Sequence, residues 1–180
     1  MRVEIYTDGA CSGNGTKGAP GGWGYYMRAM TSRGGTKKIV GEKTDKGNKL
    51  GTTNNEMELT AVLEALRALK PDSAGKCNVH IYTDSKYVIG CLEEWLANWK
   101  RNGWRNSSGD PVVNKQLIQE IDALCNLYGG QGRENLTFHW VRGHAGHPIN
   151  TRVDELAVAA KMELIAFNPK PEAPSQTMLS

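Results

Sequence analysis

Cysteine is scarce in this chain and its placement is uninformative. The four cysteines, Cys11, Cys77, Cys91 and Cys125, are far apart in 180 residues. None pairs with another at a metal-binding spacing, and they read as reduced thiols of a cytoplasmic protein. Long hydrophobic runs are also missing. No apolar stretch approaches the ~20 residues that cross a bilayer as a helix. The first residues, Met1-Arg2-Val3-Glu4, pass directly into a strand pattern, so no export signal is expected. Charge of one sign is nearly absent in the net: 22 Lys and Arg against 19 Asp and Glu leave +3. That balance permits a nucleic-acid partner without arguing for one, so any basic surface must be local. What remains, 39% hydrophobic and 23% charged residues, fits one globular domain with a real core.

One tetrapeptide occurs twice. Ile5-Tyr6-Thr7-Asp8 and Ile81-Tyr82-Thr83-Asp84 are both I-Y-T-D, each after an apolar/polar alternation and before small residues. The pattern predicts two β-strands, each ending on an aspartate before a turn. A single strand-ending Asp is ordinary turn chemistry. Two of them at the carboxyl ends of parallel neighbours would stand where open α/β sheets bind ligands.

The rest of the chain predicts strands over 2–8, 23–28, 36–42, 77–83 and 136–141. Helices are predicted over 56–70, briefly after Ser85, and over 92–100, 113–128 and 152–167. Gly-rich residues 9–22 and polar residues 43–53 read as loops, as do 101–112 and 143–150. Asn54-Asn55 would cap the first long helix. The order β-β-β-α-β-α-α-α-β-α calls for an α/β fold with a mixed sheet and helices on both faces. Residues 168–180 carry Pro169, Pro171 and Pro174 and are expected to be a disordered tail to a domain spanning 1–167.

Two further acids head apolar stripes. Counting by three and four from Glu58 gives Val62, Ala65, Leu66 and Leu69. Counting from Asp154 gives Ala157, Val158, Met162 and Ile165. Each acid is also compatible with simple helix-start duty. Taken with Asp8 and Asp84, four carboxylates have reason to face one place. They could not cluster cheaply without a cation, because like charges raise one another's pKa. All-oxygen ligation selects a hard ion, Mg²⁺ with Mn²⁺ as a substitute. Such a cluster can hold two ions, and the chemistry suggested is phosphodiester hydrolysis.

At these residues the chain resembles ribonuclease H of type 1. The likeness rests on Tyr6 to Cys11, Gly13-Asn14, Thr52 to Leu59, Tyr82 to Val88, Asn98 to Trp104, Trp140 to His147, and Asn150 with Asp154 to Ala157. These segments run in family order over about residues 1–165. The resemblance implies a five-stranded sheet with its first three strands antiparallel and the fourth and fifth parallel to the first. It implies an endonuclease that cuts the RNA strand of RNA–DNA hybrids, leaving 5′-phosphate and 3′-hydroxyl ends. Asp8, Glu58, Asp84 and Asp154 become the metal ligands, and His144 the proton shuttle or an aid to product release. A monomer is expected, with no membrane partner.

Substrate contacts carry over by position. Cys11, Asn14, Asn54 and Asn55 would line the minor groove of the hybrid, where the 2′-hydroxyl is felt. Thr52 and Thr53 are candidates for a phosphate pocket on the DNA strand, and Asn150 for a contact with the RNA near the scissile bond. Lys100, Arg101 and Trp104 belong to a basic protrusion suited to a duplex backbone. Trp95 and Trp99, four apart, read instead as packing. The chain departs from the family at Lys86, where Gln is frequent, and at Thr151, where an acid is common. The segment between the second strand and Glu58 is longer than in compact members.

Overall fold

The two I-Y-T-D segments lie side by side, residue for residue. In a computed structural model that describes residues 1–70, 74–143 and 146–167, strand β1 (Arg2–Cys11) and strand β4 (Asn78–Thr83) are parallel neighbours. Ile5 pairs with Ile81 and Tyr6 with Tyr82. The identical Tyr side chains stack, with ring centroids 4.6 Å apart and planes 10° from parallel. Identical alternation on both strands sends Ile5 and Ile81 into the same core, where both are fully buried.

Strand β2 (Pro20–Arg33) is antiparallel to β1 and to β3 (Thr36–Leu50), and β5 (Leu136–Trp140) is parallel to β4. The sheet order is β3-β2-β1-β4-β5. This is the mixed five-stranded sheet expected from the sequence. Its strands run longer than predicted at one side: β1 continues to Cys11, and β3 extends eight residues past the expected Glu42. The reason is β3's position. As an edge strand it is almost wholly exposed, so it needs no apolar alternation, and its lysines discourage edge-to-edge association.

Helix α1 (Asn54–Arg67) packs on β1 and β2. It begins two residues earlier than expected, and its N-cap is Thr53, not Asn. The Thr53 hydroxyl accepts from the Glu56 amide at 3.1 Å. Thr53 and Glu56 are three apart, the sequence spacing of a capping box. Helix α2 (Lys86–Ile89) starts at Ser85, whose hydroxyl accepts from the Val88 amide. It runs through a π-helical turn (Gly90–Glu94) into α3 (Leu96–Asn102). Helix α4 (Lys115–Gly129) lies beside α1, and a short 3₁₀ turn (Gln131–Arg133) leads to β5. The main core forms on this face from Val3, Ile5, Leu59, Val62, Leu66, Ile81, Ile118 and their neighbours.

The other face is covered by one helix, α5 (Pro148–Phe167), lying over β1, β2 and β3. It starts four residues before the predicted Arg152, with Pro148 at the first helical position, where its missing N–H costs nothing. The predicted stripe was half right. Ala157 is buried, but Val158 and Met162 are exposed, and the inward residues are Val153, Ala157 and Ala160. Glycines explain the choice. A Cβ on Gly22 of β2 would sit 2.1 Å from the Ala157 carbonyl oxygen, and one on Gly24 would sit 2.6 Å from the Leu156 Cβ. Helix and strand touch backbone to backbone, so only small inward residues fit. The expected tail, 168–180, lies outside the described residues.

Candidate active site

The carboxylates collect where β1 and β4 part. Pairing between these strands ends at Tyr6 and Tyr82, while β1 stays bonded to β2 as far as Cys11. Asp8 therefore sits inside β1, opposite Gly24, and not at its end. Asp84 follows the last residue of β4. Glu58 arrives from α1 at the head of a stripe in which Val62, Ala65 and Leu66 are fully buried, as the sequence predicted. Gly9 makes this approach possible: a Cβ there would meet the Glu58 amide nitrogen at 2.4 Å. Ligand oxygens of Asp8, Glu58 and Asp84 all lie within 4.8 Å of one another. Asp154 comes from the second turn of α5 and lines the same small cavity as Asp8, Asp84, Val141, Asn150 and Thr151. Its charge acts on Asp8.

The cluster is electrostatically uncomfortable. Burial, then the nearby Asp84 charge, then Asp154 push the Asp8 carboxyl up to about 7, against a pull downward from the Gly9 amide. That amide donates to the Asp8 Oδ1 at 2.9 Å. Burial, followed by the charges of Asp8 and Asp84, raises Glu58 well above the usual carboxylate range. Among the described residues, Glu58 Oε2 is one of two buried side-chain oxygens without a hydrogen-bond partner. A buried acceptor of this kind is expensive to leave unmet. Close-packed carboxylate oxygens with an unmet acceptor are what a hard divalent cation satisfies.

Backbone contacts support the cluster. The Trp140 indole Nε1 donates to the Asp84 carbonyl at 3.1 Å, and the Val141 amide donates to the Thr83 carbonyl at 2.9 Å. A Cβ on Gly143 would come 2.6 Å from Asp84 Oδ2. Trp140 and Gly143 were not singled out for this from the sequence. The available signal was their place between β5 and the Gly-rich turn, facing the second aspartate. His144, the expected proton shuttle, lies outside the described residues.

The groove candidates form one bonded surface. The Asn54 amide donates to Asn14 Oδ1 at 2.7 Å, and Cys11 Sγ donates to the Thr52 carbonyl at 3.5 Å. Asn55 is exposed beside them in the first turn of α1. Thr52 is 2% exposed, and its hydroxyl donates to Glu56 Oε2 at 2.7 Å. Glu56 is tied to Thr52 and Lys49. Thr53 is committed as the cap.

The protrusion stands apart, on α3 and the loop after it. Lys100 pairs with Asp122 of α4 at 2.5 Å, and Arg101 is exposed. Trp104, at φ 61, packs partly buried against Trp99, with ring centroids 6.0 Å apart. Trp95, expected to pack, is 41% exposed. It still packs as expected on one side, against Tyr87, Trp99 and the backbone of Gly90.

The chain is similar to known proteins in sequence and fold. Residues 1–162 match the model of the RNase H family. The chain is 49% identical to the Ribonuclease H of Bordetella pertussis over 157 residues, 87% of each chain. It is 47% identical to the Ribonuclease H of Hahella chejuensis over 157 residues, 86% of this chain and 90% of that one. Among solved structures it resembles LC9-RNase H1, described as a type 1 RNase H with the type 2 active-site motif. The TM-score is 0.72 at 35% identity, covering 89% of this chain and 72% of that one. LC11-RNase H1, solved in complex with an RNA/DNA hybrid, has the same fold at a TM-score of 0.60 and 22% identity. The match reaches across the whole sheet and every element that carries an acid of the cluster, and the chain belongs to the RNase H family of nucleases.

Proposed function

We propose that this chain is an endonuclease that hydrolyses the RNA strand of RNA–DNA hybrids with Mg²⁺ or Mn²⁺, leaving 5′-phosphate and 3′-hydroxyl ends. The observation that carries the reading is the cluster of buried Asp8 and Glu58 with half-buried Asp84, with an unmet oxygen on Glu58, in a chain of this family. Asp8, Glu58, Asp84 and Asp154 would hold a pair of ions. When bound, these supply an activated water and neutralise charge at the departing 3′ oxygen. The chain's own residues fix the geometry. Gly9 holds Asp8 by its amide and admits Glu58, while Trp140 and Gly143 orient Asp84. His144 takes the proton-transfer role, for which an imidazole suits neutral pH.

Substrate recognition follows from the groups left facing solvent. Cys11, Asn14, Asn54 and Asn55 present a polar, shallow surface continuous with the acids, suited to a minor groove bearing 2′-hydroxyls. Thr53 reaches a DNA-strand phosphate through its hydroxyl, which accepts in the cap and keeps its own hydrogen to donate, while Thr52, its hydroxyl bonded to Glu56 and its amide to Ala19, forms the wall of that phosphate pocket. Asn150, on the cavity wall, contacts the RNA. Arg101 supplies the freer charge of the protrusion, with Lys100 shared with Asp122 and Trp104 offering its exposed edge. The protein acts as a monomer. Labelled RNA–DNA, RNA–RNA and DNA–DNA duplexes, each with Mg²⁺ or Mn²⁺, test the reading. Cleavage confined to the RNA of the hybrid, lost in Asp84→Asn with hybrid binding retained, is expected. Binding without cleavage, equal cleavage of plain DNA, or normal turnover by Asp84→Asn would overturn it.

A further inference from the structure

A pair of imidazole side chains lies on the α5 face of the sheet, outside the acid cluster. His80 of β4 and His139 of β5 stand on neighbouring strands. Their Nδ1 and Nε2 atoms face each other at 2.8 Å, and the rings are 20° from coplanar orientation. His139 also stacks on Tyr82 at 4.6 Å between centroids, which stacks on Tyr6. Both imidazoles are half-buried, so one side of the pair is open to water. Neither residue has a part in the proposed nuclease reaction.

We propose that His80 and His139 form a binding site for a borderline divalent cation, Zn²⁺ or Cu²⁺, chemically separate from the hard-cation acid cluster. Neutral imidazole nitrogen is the preferred protein donor for these ions and a poor one for Mg²⁺. The two nitrogens that share a hydrogen are the donors. The ion takes that hydrogen's place, and the proton moves to the other nitrogen of the same ring, so both imidazoles bind as neutral donors. Zinc–nitrogen bonds of about 2.0–2.1 Å set tetrahedral nitrogens roughly 3.3 Å apart, so the rings part by roughly half an ångström and tilt toward the open side. Water completes the coordination.

The surroundings favour neutral rings. Burial, with Arg2 nearby, lowers the pKa of both histidines, so they are unprotonated near neutrality. Arg2 does not stand as a bare charge, because Glu4 pairs with it at 2.9 Å. Stacking on Tyr82 holds the His139 ring in place. A bound ion would tie β5, an edge of the sheet, to β4, and so stabilise the native state by mass action.

The test uses the whole protein with millimolar Mg²⁺ present to occupy the acid cluster. Side-chain ¹⁵N spectra of the four histidines are followed as Zn²⁺ alone is added, and Cu²⁺ is read separately by electron paramagnetic resonance. Expected are shifts of His80 and His139 at one equivalent, a Cu²⁺ signal split by two nitrogens, and at least a tenfold loss of Zn²⁺ affinity in His139→Gln and in His80→Gln. Both variants should cleave hybrid normally, which also reports that they fold. If a variant misfolds, the spectra of the unmutated protein decide. Shifts confined to His144 and His147, no shift at one equivalent, or unchanged affinity in folded variants would overturn the site.

Discussion

Replacing Asp8 by Asn should make the metal-free protein more stable while destroying activity. Asp8 carries the clearest electrostatic cost in the fold. Burial first, then the charges of Asp84 and Asp154, lift its carboxyl from an ordinary 3.8 to about 7. An acid whose pKa is raised on folding contributes stability below its unfolded value, and that stability is lost as pH rises through the folded value. For Asp8 the loss runs from about pH 4 to about pH 7, at about 1.4 kcal/mol per pH unit. The accumulated penalty above pH 7 is on the order of 4 kcal/mol. Glu58, raised by burial and by Asp8 and Asp84, acts in the same direction. Asn keeps the oxygen that accepts from the Gly9 amide. It also turns an amide donor toward the remaining carboxylates, so repulsion becomes a hydrogen bond. Chemical denaturation in EDTA at pH 5 and pH 8 checks this. The native protein should lose stability between the two, and Asp8→Asn should lose much less, with a melting point at pH 8 higher by roughly 10 °C. Mg²⁺ should stabilise the native protein and have little effect on the variant. An Asn variant that is less stable than the native protein at pH 8 in EDTA would refute the reasoning.

Three other substitutions probe the supports of the site. Gly143→Ala places a methyl 2.6 Å from Asp84 Oδ2. Steady-state kinetics on a hybrid should show kcat falling by about tenfold or more with KM little changed, because sub-ångström misplacement is costly in catalysis; an unchanged kcat would mean the turn yields freely. Gly22→Ala drives a methyl into the Ala157 carbonyl at 2.1 Å and the Lys161 amide at 2.6 Å. It should cost about 1–3 kcal/mol in urea denaturation and lower activity as α5 carries Asp154 away. Thr53→Ala removes the cap of α1 and should cost about 1 kcal/mol of stability by thermal melting; no loss would show that Asn54 or Asn55 can take over.

What the sequence made legible was the part governed by local repetition and by burial. The apolar stripe behind Glu58 was readable because α1 packs on a flat, apolar part of the sheet and large side chains fill the gap. The stripe behind Asp154 was misread for the opposite reason. Gly22 and Gly24 bring β2 so near α5 that alanine, not valine or methionine, is the inward residue. Neither the glycines nor the alanines announce that contact alone; it is visible only when both are placed together. The length of β3 was hidden because an exposed edge strand has no side to alternate. The start of α5 was hidden because Gly143, Gly146 and Pro148 together look like loop. Pro148 is in fact the first residue of the helix, a role that proline takes as readily as a turn.

The repeated tetrapeptide invites the reading that its two aspartates are equivalent, and the backbone shows why they are not. Tyr6 and Tyr82 are the last partners between β1 and β4. Beyond them β1 remains pinned to β2 for five residues, whereas β4 ends within one residue. Asp8 is thus held by the sheet itself, buried and unable to retreat from its neighbours. Asp84 stands on the turn into α2 and is positioned from outside, by Trp140 on its carbonyl and Gly143 against its carboxylate. A rigid acid and an acid placed by the following strand and turn meet at the fork between them, and only there can Glu58 reach both. The same four letters therefore do different work. Substitutions at Asp8 should register in stability and its pH dependence as well as in turnover, and those around Asp84, at Trp140 and Gly143, chiefly in turnover.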